Sequence, residues 1–323
     1  MAMEWVLRAL GPCLAAALLA AGYAAGAAPS VWMVPPSHEK GRSLRELFEK
    51  PAQWQAARAK VQVLGYADHQ LNRQFTDAEL GRWLPQIERW GLKLGLEVGA
   101  VKEWAPTGAQ AFAAQQPMWE RFRRLGGRIH AIALDEPLCC TRQILKKPDT
   151  YAIAETADFI ARVRKAYPDL LIGDIEAYPF IPLPEMQAWI DALEAELARR
   201  GVRGMDFFRL DVDWVSFTLA GRGSWQEVRK IEEHCRARKL PFSLIYWASD
   251  QPHLERAGLA TEATWHESIT RQALDYALVG GKPDEMVIES WIPAPPRATP
   301  DSDPTTFAGS VQEFAGRFAK TAK

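Results

Sequence analysis

Five segments of this 323-residue chain carry carboxylates at the ends of apolar runs: LGLEV (94–98), LDEP (134–137), IGDIEAYP (172–179), LDVDW (210–214) and VIESW (287–291). Carboxyl groups held close together repel when both ionise, so their proton affinities separate. One becomes a general acid while another stays ionised as a base or nucleophile. That division of labour is what cleavage of an acetal linkage requires. Aromatic residues accompany the acids: Trp104, Tyr178, Trp214, Trp247 and Trp291 lie at or just beyond the same segments. The apolar faces of sugars pack on such rings while carboxylates take their hydroxyls. Any one acid at a strand end is more often a helix cap, a loop anchor or an ion-pair partner than a catalyst. Convergence carries the weight, because clustered like charges cost free energy unless something compensates them.

The elements that must position these residues alternate strictly. Strands are predicted at 31–34, 61–67, 93–101, 129–137, 170–179, 207–214, 242–249 and 285–293. Helices are predicted at 43–59, 76–91, 108–125, 148–167, 183–200, 224–238, 263–279 and 305–320. Ser43, Thr76, Ser224 and Thr305 are the expected N-caps, and Gly91, Gly126 and Gly201 the expected left-handed C-caps. Eight strand–helix units predict a single (β/α)8 TIM barrel, an α/β fold whose active-site face lies at the carboxyl ends of the strands. An open doubly wound sheet would want a Gly-rich phosphate loop after its first strand, and the chain has none. Large aliphatic residues are assigned to the helix-facing side of each strand. That sends Glu97, Asp135, Asp174 with Glu176, Arg209 with Asp211 and Asp213, and Glu289 with Trp291 toward the barrel axis. Glu136 sits at the edge of its strand. Arg209 and Asp211 are expected to form a buried ion pair, with Lys93 adding positive charge deeper in the barrel and Asp213 reaching the mouth.

Composition narrows the partners. With 39 basic and 40 acidic residues the chain is nearly neutral, so neither nucleic acid nor an anionic membrane is expected to bind it. Residues 1–27 read as a secretory signal: Arg8, an Ala/Leu-rich run and the small residues Ala25-Gly26-Ala27. A secreted or periplasmic barrel over 28–323 is therefore expected, with no membrane span after cleavage. Three cysteines remain in the mature chain, Cys139, Cys140 and Cys235, which is no disulfide framework. No metal site and no cofactor are expected.

In architecture the chain resembles the (β/α)8 glycoside hydrolases over about residues 29–320. LDEP (134–137) is similar to the Asn-Glu-Pro that ends strand 4 in the largest clan of these enzymes, where the Glu is the acid/base. The resemblance thus implies that role for Glu136 and a carbohydrate substrate. Asp135 stands where that clan has Asn; Asn72 is the chain's only asparagine. The clan's strand-7 nucleophile has no Glu counterpart, since SLIYWASD (243–250) offers only Asp250, whereas VIESW supplies Glu289 on strand 8. Three pairings stay open: Asp135 with Glu176, Asp135 with Asp213, and Glu176 with Glu289. Glu176 is the favoured acid, because Asp174 beside it would raise its proton affinity, and Asp135 is its first-ranked partner. Glu97, His69, Asp174, Tyr178, Trp214, Trp247 and Trp291 are the expected substrate contacts. Two other readings share these features. One is a metal-dependent sugar isomerase or lyase, for which only His69 is well placed as a His ligand. The other is a carbohydrate-binding barrel without chemistry.

Overall fold

A computed structural model describes residues 28–320; the expected targeting segment 1–27 lies outside them. The period-2 runs become eight parallel strands: β1 (Ser30–Val34), β2 (Val63–Ala67), β3 (Lys93–Val98), β4 (Ile129–Asp135), β5 (Leu171–Tyr178), β6 (Phe207–Val212), β7 (Phe242–Tyr246) and β8 (Glu285–Glu289). Each pairs with its neighbour in sequence, and β1 pairs with β8 from Ser30–Glu285 to Val34–Glu289, so the sheet closes without an edge. The helices that cover it are α1 (His38–Glu49), α2 (Asp77–Arg89), α3 (Gly108–Arg124), α4 (Asp149–Ala166), α5 (Leu183–Arg199), α6 (Trp225–Ala237), α7 (Thr264–Leu278) and α8 (Phe307–Phe318). This is a (β/α)8 TIM barrel, as expected. No helix among the described residues is long and apolar enough to cross a membrane.

Local chemistry explains most helix ends. Thr76 and Glu79 form a reciprocal capping box on α2, Ser224 accepts from the Glu227 amide on α6, and Gly91, Gly126 and Gly201 adopt φ of +74°, +85° and +67°. Two expected caps are corrected. Ser43 lies inside α1, and the cap of α8 is Thr306, whose hydroxyl accepts from Gly309 at 3.0 Å. Short helices at Asp68–Gln74, Pro137–Cys140, Val215–Leu219 and Gln251–Ala257 were not anticipated. They are too brief to show a helical period and owe their stability to tertiary contacts.

Two apolar layers hold the barrel. Outside, Leu94, Leu96, Val98, Ile132, Leu134, Phe208, Leu210 and Val212 pack against the helices. Inside, Trp32, Val34, Val63, Ala131, Ala133, Ile175, Phe207, Ile245 and Val287 fill the axis. Two glycines make room for the largest of these. A Cβ on Gly95 would lie 2.2 Å from the Trp32 ring, and one on Gly173 2.0 Å from Phe207. The barrel is therefore plugged by aromatic rings below its mouth.

The interior also holds the one cation expected from β6, with a different partner. Arg209 stacks on Trp32 with its guanidinium 4.1 Å from the ring centroid, donates to Ser243 Oγ at 2.9 Å and pairs with Glu285 at 3.2 Å. The expected Arg209–Asp211 pair is not formed. Successive inward residues on a strand sit at different depths, and Arg209 reaches down and across to β8 rather than up to Asp211.

Candidate active site

The mouth begins with β4. Alternation sends Asp135 inward, so Glu136 should turn away. Instead Glu136 adopts a left-handed conformation (φ 47°, ψ 53°), which costs an L-residue roughly 1–2 kcal/mol. Two consecutive carboxylates thereby reach the mouth. The turn is held by hydrogen bonds: Glu136 N donates to Ile175 O at 3.0 Å, and Glu136 O accepts from Cys140 N at 2.9 Å, opening the short helix Pro137–Cys140.

Glu176 holds that helix from below. Leu138 N donates to its Oε1 at 2.6 Å and Cys139 N to its Oε2 at 3.1 Å. Its direction is opposite to expectation. On β5 the interior residues are Leu171 and Ile175, so Asp174 and Glu176 face the helix layer. Asp174 accepts from Trp189 Nε1 at 2.7 Å, and both acids are fully buried. Burial pushes the Glu176 carboxyl well above its usual range, and Asp174 adds to this; the two amides oppose it. The inward placement of Asp174 and Glu176 is thus corrected. The axis at β5 is crowded by Trp32 and Phe207, and Gly173 and Ala177 suit it better than acids. The acids find their partners outside.

The remaining inward acids come together as expected. Asp135 pairs with Lys102 Nζ at 2.7 Å. Lys102 belongs to the loop after β3, and no reading of the sequence singled it out. The only signal was a cation five residues beyond Glu97 on a loop bound for the mouth. Burial opposes its charge, but the Asp135 carboxylate holds the ammonium above its usual range. The buried carboxyl groups of Glu97 and Glu289 act on each other. Burial, then repulsion from Glu289 and Asp135, lifts Glu97 well above the carboxylate range. Burial lifts Glu289 to about 7, with Arg209 and Glu97 opposing. Asp211 is lifted by burial and then by Glu136 and Glu289, and its Oδ1 has no hydrogen-bond partner. Glu136 itself is raised by burial and then by Asp135.

Above these acids opens a cavity of about 460 Å³, lined by Glu136, Asp211, Asp213, Trp247, Trp291, Tyr178, Phe180, Gln143 and Cys139. Trp247 and Trp291 pack with centroids 4.2 Å apart, and Trp247 Nε1 is fixed by Val212 O at 3.0 Å. Asp213 is half-buried and accepts from Ser216 Oγ at 2.7 Å. Tyr178 contributes only ring surface, since its hydroxyl is taken by Glu227 and by Ser224 N at 3.1 Å. Cys139 has its thiol pushed up to about 12 by burial, then by Glu136 and Glu176, so it is no nucleophile at neutral pH. His69 is exposed on the rim, within electrostatic reach of Asp135 and Lys102. Trp104 stands more than half exposed on the same loop as Lys102. Trp214 is not a wall of this cavity; it turns to the other side of the β6 end and lines a second one. No cluster of three or more His, Cys, Asp or Glu among the described residues is arranged to hold a metal ion.

No protein-family model matches the chain, and no curated protein matches it in sequence. Solved structures do. A GH10 endoxylanase retrieved from a sugarcane soil metagenome superposes with a TM-score of 0.52 at 10% identity, covering 88% of this chain and 97% of that one. The GH53 catalytic domain of Ignisphaera aggregans gives 0.51 at 12% identity, covering 91% of each. An aldo-keto reductase from Klebsiella pneumoniae in complex with NADPH gives 0.48 at 14% identity, covering 92% and 87%. At such identities the likeness to the two glycoside hydrolase structures shows the barrel fold alone.

Proposed function

We propose that this barrel is an enzyme that hydrolyses a glycosidic bond, with Glu136 as general acid and Asp213 as its partner. The observation that carries the reading is that both line one Trp-walled cavity in unlike surroundings. Glu136 has its proton affinity raised by burial and by Asp135, the direction a general acid needs. Asp213 is half-buried and steadied by the Ser216 hydroxyl. In the reaction the Glu136 carboxyl gives its proton to the glycosidic oxygen as the anomeric C–O bond breaks. The leaving sugar departs as an alcohol. Either Asp213 attacks the anomeric carbon, and a water that gives its proton to the now ionised Glu136 then cleaves the resulting ester, or Asp213 takes a proton from the water that attacks that carbon in one step. Asp211, whose proton affinity is raised by burial, hydrogen-bonds a sugar hydroxyl, and Trp247 and Trp291 form the platform for the ring. The Glu97–Glu289 pair and Asp135–Lys102 set the field beneath. Export by the segment 1–27 belongs to the same proposal, placing the enzyme where polysaccharide is met.

This assignment replaces Glu176 as acid by Glu136, and makes Glu176 the residue that positions it. The test is a polysaccharide panel run with residues 28–323 beside Glu136→Gln and Asp213→Asn. Removing a general acid should lower kcat by about 10²–10⁴-fold. Full activity in both variants, on a substrate the parent cleaves, would sink the assignment. Saccharide binding with no turnover of any substrate would sink hydrolysis itself.

A further inference from the structure

The charge of the mouth cavity is one-sided. Its wall carries the carboxyl groups of Glu136, Asp211 and Asp213, and no Lys, Arg or His. Two cations approach from beneath, and each is held by another acid: Lys102 by Asp135 at 2.7 Å and Arg209 by Glu285 at 3.2 Å. None of the three wall acids forms an ion pair among the described residues. The charges that act most on Asp211 are those of Glu136, Glu289 and Asp213, all of its own sign. Like charges gathered without a counter-charge cost free energy, and a bound cation removes that cost. The rest of the wall is largely aromatic. Trp247 and Trp291 pack with centroids 4.2 Å apart, and Trp291 and Phe180 are both exposed. Indole faces attract cations as well as the apolar faces of sugars.

We infer that the sugar this mouth accepts carries a free amine: the substrate class is a polymer of amino sugar units without the N-acetyl group. The inference rests on the hydrolytic reading of the same site and deepens it. Of the three wall acids, Glu136 gives its proton, and Asp213 acts on the reacting carbon or its water. Asp211, partly exposed and lining the cavity two residues before Asp213, is the one left for recognition. In such a substrate an ammonium takes the hydroxyl's place at Asp211, in a charge-assisted hydrogen bond stronger than the neutral one. The ring meanwhile packs on Trp247 and Trp291. A uronate or a sulfated sugar would bring a further anion to a wall that has no cation, and is repelled. An N-acetylated unit loses the charge and adds bulk at the same position. A metal ion meets no converging group of three ligands among the described residues.

The test varies a single substituent. The full chain is titrated by calorimetry at about pH 6, where a sugar amine is protonated. One ligand series is the linear trimers of glucosamine, N-acetylglucosamine and glucose; the other is those of galactosamine, N-acetylgalactosamine and galactose. The same samples are examined by mass spectrometry for shorter products. At least one amine trimer should bind about tenfold or more tightly than both its acetamido and its hydroxyl counterparts. In Asp211→Asn that preference should fall about tenfold, because the charge is gone and the shape is kept. A preference unchanged in Asp211→Asn would assign it to charge elsewhere on the surface and overturn the inference. So would amine trimers that bind no better than their neutral counterparts, or no binding by any trimer. Neutral trimers bound more tightly and cut would overturn the substrate class while hydrolysis stands. Amine trimers bound with the expected preference but never cut would uphold the class and contradict hydrolysis. The wild-type series carries the test on its own if Asp211→Asn does not fold.

Discussion

Replacing Glu289 by Gln should make the protein more stable, and only at high pH. Glu289 is 5% exposed, and burial raises its proton affinity from 4.5 to about 7. A carboxyl group with a raised folded-state pKa favours the fold while protonated. That contribution is fully present below pH 4.5 and is lost as pH rises toward and through 7. That rise corresponds to roughly 3 kcal/mol that the wild type forfeits by pH 8. Gln keeps the shape, carries no charge and can donate to Glu97, so it escapes the loss. At pH 4.5 the two proteins should be within about 0.5 kcal/mol of each other. At pH 8 the variant should lead by about 3 kcal/mol, or roughly 5–8 °C in Tm for a chain of this size. Thermal and urea unfolding of both proteins at the two pH values measure this directly. A variant less stable than the parent at pH 8, or an equal gap at both pH values, would refute the account of a charge forced into the barrel.

Three further substitutions probe the supports of the site. Glu176→Ala leaves the Leu138 and Cys139 amides without their acceptor and should cost about 1–3 kcal/mol; because it frees the turn that holds Glu136, kcat should fall with KM little changed, and Glu176→Gln should recover part of it. Lys102→Met removes the partner of Asp135 at 2.7 Å. With Asp135 about two-fifths exposed the loss should be about 1 kcal/mol, shrinking in high salt, and Asp135→Asn in the same chain should largely restore stability in a thermal double-mutant cycle. Arg209→Met strands Glu285 in the interior and should cost about 3–5 kcal/mol at neutral pH by urea unfolding; the double change with Glu285→Gln should recover most of it.

Much of this architecture was readable from alternation alone. On β3 and β6 the aliphatic residues occupy a single phase, on β4 and β8 the larger ones do while Ala131, Ala133 and Val287 face the axis, and Glu97, Asp135, Asp211, Asp213 and Glu289 fall inward as the pattern demands. On β5 the pattern misleads, because a strand buried on both faces is apolar on both and the phase is set by volume. Leu171 and Ile175 face the axis there; Glu176 beside them is satisfied by the amides of a four-residue helix, and Asp174 has one oxygen held by Trp189 and the other unpaired. Such partners leave no local trace in a sequence. Glu136 escaped alternation for a related reason: its left-handed backbone is imposed by Ile175 O and the helix that follows, and Glu has no propensity that announces it. The motif resemblance of LDEP singled it out where periodicity could not. Lys102 was hidden by its loop, where neither period applies.

The aromatic plug formed by Trp32 and Phe207 gives this mouth a single opening. Whatever enters must leave by the same door, so a polymer cannot be threaded through the barrel and released behind it. A long chain would have to lie across the rim, over Trp291 and Trp104, or dip one end to the acids and withdraw. Under the proposed hydrolysis, both the piece cut off and the chain that remains would therefore leave on the side they entered.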